Sequence, residues 1–145
     1  MSSATIPTGV YYIQNVATDM ALDLPDGRTM PYSPLRGWPK YELGDVWAPV
    51  QLWVITPKDY QEEAYTIQNA SGRNCAELTT ASDQVLCNLP SGAKSQQWKF
   101  TRNDTGAYVI QNLETGSYIT LDKGAQIVGR SGAAKDEQLW KIIPV

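Results

Sequence analysis

The side chains able to do chemistry are few, and their types exclude more than they suggest. The chain has 145 residues and no histidine. That removes Ser-His-Asp and Cys-His nucleophilic catalysis, together with every metal site built on imidazole. Cys75 and Cys87, the two cysteines, are too few thiols to hold a metal alone. Carboxylates could still do acid–base work, but nothing in the sequence argues for it, so no enzyme, no metal and no cofactor is expected. Arg28 suggests a different chemistry. Pro25 and Pro31 bracket it in Pro25-Asp26-Gly27-Arg28-Thr29-Met30-Pro31. A trypsin-like serine protease accepts an extended segment whose Arg or Lys enters a deep pocket ending in a carboxylate. A loop already stiffened by proline loses less entropy on docking, and one too rigid to release after attack inhibits instead of being consumed. Gly27, Arg28, Thr29 and Pro31 therefore form a candidate protease-binding loop. Lys135 is a second candidate, and Arg36, Lys40, Lys123 and Arg130 are further cations in similar positions. Set against this reading, an Arg in a polar loop can equally be a solvated charge.

The elements that must position these residues come from an internal repeat. Tyr-x-Ile-Gln-Asn occurs at Tyr11–Asn15, Tyr65–Asn69 and Tyr108–Asn112. Eleven residues after each Ile comes a Leu, at Leu24, Leu78 and Leu121. Gln-x-Trp then follows at Gln51–Trp53, Gln96–Trp98 and Gln138–Trp140, with an apolar residue two places on at Ile55, Phe100 and Ile142. Three landmarks in one order, three times, define three units at about residues 8–57, 62–103 and 105–145. Each unit reads as four short strands separated by turn residues such as Ser71-Gly72 and Thr115-Gly116. No stretch keeps a helical period. A four-strand unit cannot bury its own apolar face, whereas twelve strands closing as a capped barrel with three-fold symmetry can. The expected fold is all-β, a β-trefoil spanning residues 1–145 as a single domain. The three Trp residues then belong to the shared core, and Gln51, Gln96 and Gln138 satisfy loop backbone groups.

Composition limits the partners. Charged residues make up 19% and hydrophobic residues 42%, an ordinary globular balance, with a formal net charge of −3. No run of four Lys or Arg occurs, so nucleic acid is not an expected partner. No apolar run approaches the roughly 18 residues needed to span a bilayer, so no membrane is expected either. Met1-Ser2-Ser3-Ala4-Thr5-Ile6-Pro7 has neither the basic nor the apolar part of a signal peptide, which makes a cytoplasmic location the expectation.

Unit one is longer than its siblings. From landmark Leu to landmark Trp is 29 residues there, against 20 and 19 in units two and three. The surplus lies within residues 25–49, which hold five of the nine prolines, with Trp38, Tyr41 and Trp47 clustered at the far end. Prolines stiffen such a loop and aromatics can anchor it on the barrel, while a stiff loop on a rigid scaffold is a common binding surface.

Three Gln-x-Trp motifs in register, each with its Tyr-x-Ile-Gln-Asn, resemble the ricin-B-like β-trefoils over nearly the whole chain. The short form without a signal peptide looks most like the mushroom members, which divide into lectins and serine protease inhibitors. The resemblance implies a sugar site of three parts: an Asp on the second strand, an aromatic residue near the end of the third, and an Asn just before Gln-x-Trp. Here the Asp position holds Asp23, Glu77 and Thr120, and the Asn position holds Val50, Ser95 and Glu137. Only unit one keeps the Asp and offers aromatics nearby, so a carbohydrate site, if present, comprises Asp23, Trp38, Tyr41 and Trp47. Fungal trefoil inhibitors resemble this chain in carrying an Arg in the long loop after the second strand, where Arg28 lies. Ricin-type lectins often join the second and third strands by a disulfide, which Cys75 and Cys87 would match; a cytoplasmic location favours free thiols instead. Three readings follow: a serine protease inhibitor acting through Arg28, a lectin with one atypical glycan site, and a lectin-like subunit that engages a partner protein through the unit-one loop.

Overall fold

The computed structural model describes residues 2–3, 5–132 and 135–145, so Ala133 and Ala134 of the unit-three segment lie outside the described residues. β1 (Ser2–Ser3) precedes unit one, which contributes β2 (Gly9–Asn15), β3 (Met20–Asp23), β4 (Ser33–Pro34), β5 (Arg36–Pro39) and β6 (Leu52–Asp59). Unit two contributes β7 (Ala64–Asn69), β8 (Cys75–Glu77), β9 (Leu86–Asn88) and β10 (Trp98–Arg102). Unit three contributes β11 (Tyr108–Asn112), β12 (Tyr118–Leu121), β13 (Ile127–Arg130) and β14 (Trp140–Pro144). The described residues form no α-helix, only short 3-10 turns. The expected four strands per unit are present, and β1 and β4 are additional: β1 pairs with β10, and β4 with β9.

Register explains the repeat motifs residue by residue. β2, β6, β7, β10, β11 and β14 pair in a closed ring. Within each unit the motif Tyr faces its own Trp: Tyr11–Trp53, Tyr65–Trp98 and Tyr108–Trp140. Between units the motif Asn faces the preceding Trp: Asn69–Trp53, Asn112–Trp98 and Asn15–Trp140. Ile67, Ile110 and Ile13 likewise face Ile55, Phe100 and Ile142. Because side chains alternate with period two, this register sends the Ile and Trp landmarks to one face, and they fill the barrel. Trp53, Trp98 and Trp140 are fully buried, and each indole N–H donates to a second-strand carbonyl, those of Leu22, Ala76 and Ile119, at 3.0 Å. Burial thus leaves no indole donor unpaired.

The hairpins β3–β5, β8–β9 and β12–β13 cap the ring. They meet at Leu35, Val85 and Ile127, where the Leu35 N–H donates to the Val85 carbonyl at 3.1 Å and the Val85 N–H to the Ile127 carbonyl at 2.9 Å. Landmark leucines pack across these seams. A Cβ on Gly37 would stand 2.5 Å from Leu121 Cδ1, and one on Gly129 would stand 2.4 Å from Leu78 Cδ2, so only glycine fits there without repacking.

The motif Gln and Asn hold the first turn of each unit. Gln14, Gln68 and Gln111 donate through Nε2 to the carbonyls of Asp19, Arg73 and Gly116. The Asn carboxamide works in two directions. Its Oδ1 accepts the turn N–H groups of Ala17 and Thr18, Ser71 and Gly72, or Glu114 and Thr115. Its Nδ2 donates across to the neighbouring unit, from Asn15 to Glu137, Asn69 to Val50 and Asn112 to Ser95, at 3.0, 3.0 and 2.9 Å.

The disulfide implied by the family resemblance is not formed: Cys75 and Cys87 are both free and buried. The β8–β9 register pairs Cys87 with Ala76, not with Cys75. Alternation then places the two thiols on opposite faces of the hairpin. Cys87 and Ala76 belong to the central core cluster, whereas Cys75 does not. Burial raises both thiol pKa values, which keeps them protonated and unreactive.

Candidate binding surface of unit one

The cap hairpins place three equivalent second-strand side chains, Asp23, Glu77 and Thr120, and all three are buried. Each meets the Gln of its own Gln-x-Trp. Gln51 Nε2 donates to Asp23 Oδ2 at 3.0 Å, Gln96 Nε2 to Glu77 Oε1 at 3.4 Å, and Gln138 Nε2 to Thr120 Oγ1 at 3.4 Å. The same amide groups donate to the carbonyls of Pro39, Leu89 and Ser131, while their oxygens accept the N–H groups of Tyr41, Ser91 and Lys135. The expected role of these Gln residues in satisfying loop backbone is what the structure shows.

The units differ in what faces the second strand. Opposite Asp23, Glu77 and Thr120 stand Arg36, Leu86 and Val128. Two residues further on stand Trp38, Asn88 and Arg130. In unit one, Arg36 Nε donates to Asp23 Oδ1 at 2.9 Å, so both oxygens of a fully buried carboxylate are engaged. The Arg36 guanidinium carbon lies 3.9 Å from the centre of a Trp38 ring, and Trp38 is 40% exposed. Burial raises the Asp23 pKa above the ordinary 3.8, and the hydrogen bonds from Gln51 and Arg36 oppose that rise. In unit two, Glu77 is satisfied without a cation, by Ser95 Oγ at 2.6 Å and by Gln96. In unit three, a cleft of about 570 Å³ lies at the corresponding place, lined by Thr120, Asp122, Lys123, Arg130, Lys135 and Gln138 among others, and it has no aromatic wall.

The surplus residues of unit one fall on both sides of β5, not in one loop. Residues 24–35 precede it and residues 40–51 follow. Trp38 and Trp47, which the sequence had suggested as anchors of these segments, are 40% and 47% exposed. Hydrogen bonds between side chains and the Tyr41 backbone hold the second segment. Tyr41 N–H donates to Gln51 Oε1 at 2.8 Å, and its carbonyl accepts from the Tyr12 hydroxyl at 2.9 Å. Asp23, Trp38 and Tyr41 are thus brought to one neighbourhood through Arg36 and Gln51. Trp47 sits apart in a turn of its own, closed by Asp45 Oδ1 on its N–H at 2.8 Å.

Arg28 is exposed, its side chain at 56%, with Asp26 Oδ2 at 3.9 Å. The adjoining backbone is held: Asn74 Nδ2 donates to the Thr29 carbonyl at 3.0 Å, and a Cβ on Gly72 would stand 3.0 Å from the Arg28 carbonyl. The expected extended segment through Arg28 is not found. Asp26 and Gly27 have φ of 57° and 63°, left-handed values that curl the chain into a 3-10 turn just before Arg28. Pro31 is exposed, as is Lys135 in a different unit.

Sequence reasoning named Arg36 only as an alternative loop cation and not as the partner of Asp23, because that pairing is invisible without the register. Asp23 and Arg36 are 13 residues apart and become neighbours only when β3 pairs with β5.

Among solved structures, the designed three-fold symmetric protein ThreeFoil superposes with a TM-score of 0.83 at 20% identity, over 94% of this chain and 99% of that one. The Rhizoctonia solani agglutinin gives 0.80 at 18% identity, over 99% of this chain and 100% of that one. An exo-β-1,3-galactanase from Clostridium thermocellum gives 0.82 at 22% identity, where this chain covers 97% of itself but 31% of the enzyme. Likeness at these identities concerns the fold. No curated protein matches the chain. A family model described as ricin-type beta-trefoil lectin domain-like matches residues 3–85, 49–128 and 94–145. With that model matching in three overlapping segments that together span residues 3–145, the chain belongs to the ricin-type β-trefoil lectin-like family.

Proposed function

We propose that the chain is a non-catalytic carbohydrate-binding protein whose ligand surface is the β3–β5 face of unit one, with Trp38 as the stacking platform. One observation carries this reading. Of the three equivalent positions Trp38, Asn88 and Arg130, only the first sets an exposed aromatic ring beside a second-strand acid. A sugar presents an apolar C–H face and a polar edge, and a ring next to fixed polar groups answers both. Membership of a lectin-like family supports the same reading. A glycan array probed with the wild-type protein and with Trp38→Ala tests it. We expect a discrete set of glycans to bind, with affinity falling at least about tenfold in the variant, roughly 1.4 kcal/mol. Absence of glycan binding by the wild type, or retention of full affinity in Trp38→Ala, overturns it.

A second reading, inhibition of a trypsin-like serine protease, is favoured by the exposed Arg28 and by the hold of Asn74 on the adjacent carbonyl. The left-handed residues before Arg28 weigh against it, because a protease binds the segment preceding the scissile bond as an extended strand. In a titration of trypsin, this reading expects stoichiometric inhibition that is lost in Arg28→Ala and kept in Lys135→Ala. No inhibition at micromolar protein rules it out.

A further inference from the structure

We infer that the unit-one surface selects sugars bearing a carboxylate, and that Arg36 is the residue that reads it. This rests on the carbohydrate reading above and names its ligand class.

Arg36 is held at two points. Its Nε is fixed on Asp23 Oδ1, and its guanidinium carbon lies over a Trp38 ring, 3.9 Å from the ring centre. The two terminal nitrogens, Nη1 and Nη2, make no further hydrogen bond or ion pair among the described residues, and the side chain is 30% exposed. A guanidinium immobilised in this way keeps a planar pair of donors without a protein partner, the arrangement that receives a planar carboxylate through two parallel hydrogen bonds. Trp38, 40% exposed, offers the part of its indole that the guanidinium does not cover to the pyranose ring that carries the carboxylate.

Asp23 cannot serve a neutral sugar in the same way. It is fully buried, and both its oxygens are already engaged. The polar character of the surface is therefore that of a donor pair. A neutral sugar hydroxyl satisfies such a pair poorly, and a carboxylate satisfies it fully.

Arg36 is more than a counter-ion that the fold requires. Unit two buries Glu77 at the equivalent position with Leu86 facing it, and neutral donors from Ser95 and Gln96 suffice there. A general positive field does not explain the selection either. Lys40 lies nearby, over the Tyr12 ring at 4.3 Å, but Glu42 and Asp45 act on the same tyrosine. Selection belongs to the contact at Arg36.

The test uses paired probes that differ only at the carboxylate, an oligogalacturonide and its methyl ester and a sialylated oligosaccharide and its methyl ester, with a sulfated oligosaccharide as a tetrahedral anion. For the wild-type protein we expect at least tenfold tighter binding of one or both free acids than of their neutral partners. We expect that preference to vanish in Arg36→Gln and to be largely lost in Arg36→Lys, which keeps the charge without the fork. If Arg36→Gln fails to fold, the double variant Asp23→Asn/Arg36→Gln removes the buried charge as well, and the ester pairs need no variant at all. Equal or better binding of the neutral partners, with Trp38→Ala still abolishing it, overturns the acid selection and leaves the carbohydrate reading standing. Tightest binding of the sulfated probe overturns the carboxylate assignment. Binding of none of the probes or of any arrayed glycan overturns both.

Discussion

Asp23 shows how one side chain can be both a fold element and a constraint on ligand choice. Its carboxylate sits with no exposure between Gln51 and Arg36, and burial is the largest influence on its proton affinity. Since its folded pKa lies above the ordinary 3.8, the folded state holds this proton more tightly than the unfolded chain does. The stabilisation linked to this group is therefore present in full below the unfolded pKa and is lost as pH rises through the folded one. We expect the difference in Tm between the wild type and Asp23→Asn to shift against the wild type as pH is raised from acid to neutral. A difference that stays flat with pH, or shifts the other way, contradicts a raised pKa at this site. Asp23 itself was legible in the sequence as a second-strand acid. That it is closed off was not, because closure depends on Arg36 and hence on a strand pairing. Arg36-Gly37-Trp38-Pro39 reads locally as turn chemistry. It is a strand because Gly37 lets Leu121 close over it and because Asp23 lies opposite.

At the scale of elements, the turns hold the units together as firmly as the strands do. Each Tyr-x-Ile-Gln-Asn ends in an Asn that closes its own turn and reaches a carbonyl of the unit before it. In Asn112→Ala, the Ser95 carbonyl keeps only the Leu78 N–H, and the N–H groups of Glu114 and Thr115 lose their side-chain partner. With about 1 kcal/mol for each bond, we expect a loss of about 2–3 kcal/mol, seen as a fall in Tm of roughly 6–12 °C. A fall of a degree or two would mean that water replaces the carboxamide. The motif was plain in the sequence because it recurs without variation. Its purpose was hidden because the partner lies far along the chain, 122 residues away for Asn15. The surplus of unit one was counted correctly as a length and read wrongly as one loop. The third strand that divides it carries Gly37 and Pro39, which local propensity assigns to loops.

For the whole molecule, repetition made the fold readable. Three identical landmark sets could share a core only by closing, and the six-strand ring with its three hairpin caps is that closure. The same symmetry sets the units against one another as internal controls. Glu77 with its neutral partners shows what the fold alone demands, and Arg36 with Trp38 shows what unit one adds. Closure also sets the order of assembly. The first strand of unit one pairs with the last strand of the chain, Ile13 against Ile142 and Asn15 against Trp140. On a ribosome, β2 therefore emerges early and has no partner on that side until the final residues appear. Ring closure across so long a separation is a slow step, since its entropy must be met before its contacts form. The unit made first is completed last.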